Sequence, residues 1–138
     1  MNWKRYFAAA GAVFVAVQAL EFLLSAFLMK SANESLQSLW RPDMMSRAWV
    51  MYLMSLLVAL VFTYIFVKGR EGKGIQEGVR FGIIIWLLFT VPVNHFLWVM
   101  LPIPYRIIFQ WLLAGLLEML VAGVLVAAIY KPKQAAKA

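Results

Sequence analysis

Four apolar runs, each about as long as a lipid bilayer is thick, constrain this chain more than any other feature. They cover roughly residues 5–29, 45–67, 79–101 and 106–130. About 20 apolar residues carry a helix across the hydrocarbon core. Of the 138 residues, 64% are hydrophobic and only 14% are charged, too little polar surface to dress a water-soluble domain of this size. The first run is too long for the apolar part of a signal peptide. It also contains Glu21 and lacks a clear small-residue cleavage site, so it reads as a retained helix. The expected fold is all-α: a single integral-membrane domain over residues 1–138, built as an antiparallel four-helix bundle.

Charge predicts its orientation. Lys4, Arg5, Lys68, Arg70, Lys73, Arg80, Lys131, Lys133 and Lys137 fall on one side of the spans, against Lys30, Arg41, Arg47 and Arg106 on the other. The positive-inside rule then places both termini and the 68–80 loop in the cytoplasm. The net charge of +7 is accounted for by topology, with anionic lipid as a secondary contact, and no nucleic-acid partner is implied. Trp3, Tyr6, Tyr64 and Tyr130 mark the inner interface; Trp40, Trp49, Trp98, Tyr105 and Trp111 mark the outer one. With no cysteine in the chain, disulfide exchange and thiolate metal ligation are excluded.

The two longer connections carry pattern. In the outer one, Ser31 and Glu34 have capping-box spacing, Leu36, Leu39 and Trp40 follow, and Pro42 forces Arg41 out of helical geometry. This predicts a short interfacial helix, acting either as a connector or as a lid over something below. In the inner one, Gly74, Gly78 and Gly82 recur every four residues and predict a smooth stripe for helix packing or dimerisation. The alternative there is a phosphate or headgroup nest with Lys73 and Arg80; it lacks the ending of a nucleotide-binding loop. Ala8, Ala12 and Ala16 form a similar stripe in the first run.

Polar residues inside the spans are the ones that lipid should reject. Gln18, Glu21 and Ser25 share one helix face, and the last span carries Gln110 and Glu118. The third carries Thr90, Asn94 and His95, the only histidine, just after Pro92; the second carries Tyr52 and Ser55. A charged group at a helix centre costs about 2.5–3.5 kcal/mol unless it pairs or is neutralised. Glu21, His95, Glu118, Gln18, Asn94, Gln110 and Tyr52 are therefore the candidates for a binding or proton-relay cluster. His95 is expected to donate to Glu21, at a point where Pro92 already disturbs the helix.

The same residues bound the chemistry. Glu21, His95 and Glu118 are the one candidate metal set, a weak one. A haem held by His95 with a methionine, or by His95 shared across a dimer, stays open. So does copper(I) at Met44, Met45, Met51, Met54 and Met100, although methionine is an ordinary packing residue. No catalytic triad, zinc helix motif or glycosidase carboxylate pair is discernible, and no cofactor is specified.

The segments WRPDMMSRAWVMYL, KGREGKGIQEGVRFG and LPIPYRIIFQW together resemble a group of short, uncharacterised four-span proteins of the bacterial inner membrane. The resemblance covers nearly the whole chain. It implies that setting, and it carries no activity with it. The expected function is a small non-enzymatic membrane protein, either an accessory or assembly subunit or a ligand binder, with the bilayer, further copies of itself or a larger membrane complex as partners. The alternative is an oligomeric proton-coupled carrier of a small solute or ion.

Overall fold

A computed structural model describes residues 1–131. Its helices are α1 (Trp3–Phe27), α2 (Lys30–Ser35), α3 (Ala48–Gly69), α4 (Ile75–Ile85), α5 (Val91–Met100) and α6 (Tyr105–Ile129). Short 3-10 turns at Gln37–Leu39 and Met44–Arg47 lie between α2 and α3, and a π-turn at Trp86–Thr90 joins α4 to α5. Among the described residues there is no strand. Four helical stretches are long and apolar enough to cross a membrane: Trp3–Phe27, Met44–Gly69, Ile75–Met100 and Tyr105–Ile129. The all-α four-helix arrangement is as the sequence predicts, and the protein is a multi-pass membrane protein. Lys133 and Lys137, used in the charge argument, lie outside the described residues.

The spans run alternately up and down, and α6 is central. It packs most extensively on α4 and next on α1, which in turn carries α3. Lipid supplies no hydrophobic drive between helices, so close van der Waals packing must hold them together. Small residues make it possible. Any Cβ on Gly78 would overlap the Gly123 carbonyl of α6, and any Cβ on Gly82 would overlap that of Met119. The helix pairing predicted for the glycine stripe is thus made within one chain. Gly74 does not belong to it: it caps α4 with a φ of +78° and faces open space. On α1 the buried small residues are Ala9 and Ala10 with Val13, one position round from the predicted alanine stripe.

The larger packed core lies at the end where α1 begins and α6 finishes, called here the terminal end. Ala9, Val13, Ala59, Phe62, Phe66, Ala122, Val126 and Ala127 form its core. Phe81 stands 4.7 Å from Phe62 and 5.5 Å from Phe66, ring centre to ring centre, and so ties α4 to α3. The Tyr6 hydroxyl donates to the Leu60 carbonyl at 2.9 Å, tying α1 to α3. At the far end, α3 and α5 stand apart, and α2 fills in from above. Met29, Ala32 and Leu36 are buried there, with Ala32 and Leu36 packed on Ile103, Ile107 and Ile108.

Two local expectations change. The short helix forms, but it begins at Lys30, and no side chain caps it, so the capping box at Ser31 and Glu34 is not made. The loop before α4 is no anion nest. The Glu77 carboxylate, only 6% exposed, fills it by accepting the backbone N–H groups of Glu71 and of Lys73, the latter at 3.0 Å. Lys73 and Arg80 are both paired with Glu71, and together, Lys73 foremost, they hold its carboxyl below the usual glutamate value.

Candidate functional site

The spread of α3 and α5 leaves a cavity of about 750 Å³ in the far half of the bundle. Glu21 and Ser25 of α1, Asn94 of α5 and Glu118 of α6 bring polar groups to it, and Trp111 and Met51 are among its apolar walls. The α2 connection forms its roof through Lys30, Asn33, Glu34, Gln37 and Trp40. Of the two readings of that connection, the lid over something below matches where it lies.

Glu21 and Glu118 face each other within reach of a side-chain hydrogen bond. Since a carboxylate only accepts, such a bond requires a proton on one of them. Ser25 sits one turn beyond Glu21 and donates to its Oε1 at 3.5 Å. Asn94 spends an N–H on the Thr90 carbonyl of its own helix at 2.7 Å. Thr90 is the last residue of the π-turn, in which the Val91 N–H reaches back five residues to Trp86. The wide turn, one turn before Pro92, is how this helix absorbs the disturbance expected from the proline. The Trp86 indole fixes the turn to α6 by donating to the Leu112 carbonyl at 2.9 Å.

The remaining candidates are placed elsewhere. His95 does not meet Glu21. Its Nδ1 donates to the Val91 carbonyl at 2.7 Å, and its Nε2 lies 3.1 Å from the Tyr105 hydroxyl, which donates to it in the neutral ring. The expected three-way cluster is therefore only a pair of carboxyls. The metal set of Glu21, His95 and Glu118 is not assembled, and no group of three or more such side chains converges among the described residues. Tyr52 is 58% exposed on the outside of α3, away from the cavity. Gln110 keeps its Oε1 buried without a partner, outside the cavity wall. Gln18 lines a second, smaller cavity of about 270 Å³ with Ser55, between α1, α3 and α6. Glu118 belongs to the walls of both cavities.

An inventory of acidic side chains sharpens the site. Of the six in the chain, Asp43 is bound by Arg41 and Arg47, Glu71 by Lys73 and Arg80, and Glu77 by backbone amides. The other three, Glu21, Glu34 and Glu118, have no cation partner among the described residues, and all three line the larger cavity. Among the described residues, Lys30 is the one basic residue in its wall. Sequence reading missed Glu34 and the tryptophans Trp40 and Trp111 as site residues. For Glu34 the sequence offers Lys30, four positions earlier, as an ordinary ion-pair partner, so nothing in the spacing marked it as a site residue.

The fold and cavity define a multi-pass helical membrane protein with a ligand-sized, acidic, aromatic-walled chamber in one half of the bundle. No protein-family model, curated protein or solved structure matches this chain.

Proposed function

We propose that this is a small, non-enzymatic protein of the bacterial inner membrane that binds an amphiphilic organic cation in its larger cavity. The observation that carries the reading is the gathering there of the three carboxyls that have no cation of their own. Trp40 and Trp111 add faces on which a cation is stabilised, and the apolar walls suit a hydrocarbon portion. The charge distribution supports cytoplasmic termini, which puts the cavity in the outer half of the bilayer under its α2 roof. The resemblance to short four-span bacterial proteins supports the setting and fits an accessory or assembly subunit that presents a bound molecule to a partner.

The test is equilibrium binding of a radiolabelled hydrophobic ammonium ion to the protein in lipid nanodiscs, with empty nanodiscs subtracted. Saturable binding is expected, and Glu21→Gln with Glu118→Gln should weaken it at least tenfold while leaving the helical circular dichroism unchanged. Undiminished binding in the double variant, or equal binding of an uncharged analogue, overturns the proposal.

One observation favours a second reading. The smaller cavity with Gln18 and Ser55 continues from Glu118 toward the terminal end, as a carrier pathway would. In that reading the protein works as an oligomer and Glu118 passes a proton against the solute.

A further inference from the structure

We infer that a third cavity, of about 640 Å³ at the terminal end, seats the phosphate headgroup of an anionic phospholipid. Its wall holds Lys4 and Arg5 from the start of α1, Arg70 from the end of α3, and Lys131 beyond α6, with Trp3 and Tyr130 beside them. Among the described residues, no acidic one is in the wall. The two acids of the neighbouring loop are already committed, Glu71 to Lys73 and Arg80 and Glu77 to backbone amides. Four cations therefore surround one space without a carboxylate partner among the described residues. Their mutual repulsion is relieved by an anion placed between them.

Two of the four are held in position. Arg5 donates through one Nη to the Lys131 carbonyl at 2.7 Å. Arg70 donates to the Tyr130 carbonyl at 3.3 Å and lies 4.7 Å above the Tyr130 ring. Binding the two carbonyls just past α6 explains one N–H of each arginine. A guanidinium has five, arranged as a fork that fits two phosphate oxygens, and most of each fork is left over. Those bonds explain nothing about Lys4 and Lys131, which hydrogen-bond nothing through their side chains among the described residues.

The surroundings point to a lipid rather than to free phosphate. Trp3, in the cavity wall, is 59% exposed and stacks on the equally exposed Phe7 one turn further into the apolar part of α1, ring centres 6.1 Å apart. An aromatic ladder descending from a cationic seat offers acyl chains a surface directly below the headgroup.

The experiment is native mass spectrometry of the full chain in detergent micelles, titrated separately with dioleoylphosphatidylglycerol, dioleoylphosphatidylcholine and inorganic phosphate. The wild type should retain phosphatidylglycerol well above phosphatidylcholine. Lys4→Gln with Lys131→Gln, which disturbs no hydrogen bond of the fold, should weaken that binding by roughly fivefold per lysine, on the order of 25-fold together. Lys68→Gln with Arg106→Gln, an equal charge change elsewhere, should leave it within about twofold. Equal retention of the two lipids overturns the inference, as does an equal loss in both double variants. Displacement of phosphatidylglycerol by inorganic phosphate at similar concentration reassigns the seat to a soluble anion and overturns the lipid.

Discussion

A methyl group at Gly78 would be driven into the Gly123 carbonyl, whereas one at Gly11 would meet nothing within 4 Å. Gly74 is a third case: it too has open space, but its φ of +78° is one that side chains resist. Three alanine substitutions should therefore separate cleanly. Gly11→Ala should be neutral or stabilising by about 0.5–1 kcal/mol, since it sits mid-helix in α1. Gly74→Ala should cost about 1–2 kcal/mol in backbone strain, and Gly78→Ala should cost about 1–3 kcal/mol or more through overpacking against backbone. Unfolding in mixed micelles by added dodecyl sulfate, followed by circular dichroism, measures all three; equal losses would refute this account. At this scale the sequence was partly legible. A repeat of four marked Gly78 and Gly82 correctly, but spacing is blind to where a helix starts, so Gly74 was counted with them. His95 was misplaced for a similar reason: hydropathy gives a residue its depth in a span and says nothing of the direction in which its ring turns.

The outer connection behaves as an element of its own. Asp43 accepts from Arg47 at 2.8 Å and from Arg41 at 3.1 Å, and so clamps the chain on both sides of Pro42 just before α3. These guanidinium groups, Arg47 foremost, hold the Asp43 carboxyl below its ordinary value of 3.8. A depressed carboxyl contributes stability that is fully present above its unfolded value and lost as the pH falls through the folded one. The clamp should thus hold at neutral pH and release only below the ordinary value. A carboxyl titration by nuclear magnetic resonance should place the Asp43 midpoint under 3.8 and move it upward in Arg47→Gln; a wild-type midpoint at or above 3.8 would contradict the clamp. The spans themselves were readable from apolar length, because lipid tolerates few other patterns. The π-turn was not. Pro92 signalled an irregularity, yet a wide turn rotates everything after it, and no local propensity encodes that phase change. It is why Asn94 lines the cavity and its neighbour His95 does not.

For the molecule as a whole, the number of spans follows from apolar length, but the cavity follows from contacts between distant residues. Its wall draws on α1, the α2 connection, α3, α5 and α6, and only a folded chain brings Glu21, Glu34 and Glu118 to one place. The carrier reading is tested at this scale. Reconstituted into vesicles with a pH gradient, the wild type should then move a hydrophobic ammonium ion, and Glu118→Gln should abolish the flux with folding intact. Wild-type flux in that variant would sink the carrier and leave the binder.

The glycine contact between α4 and α6 has one more consequence. Two backbones that touch with no side chain between them do not slide easily, and the Trp86 indole on the Leu112 carbonyl and Thr90 against Gly115 carry the contact further, so the α4–α5 span and α6 form one stiff wall. That side of the chamber is thereby a fixed wall, and any change in the chamber's size falls to the α3 side, which leans on α1.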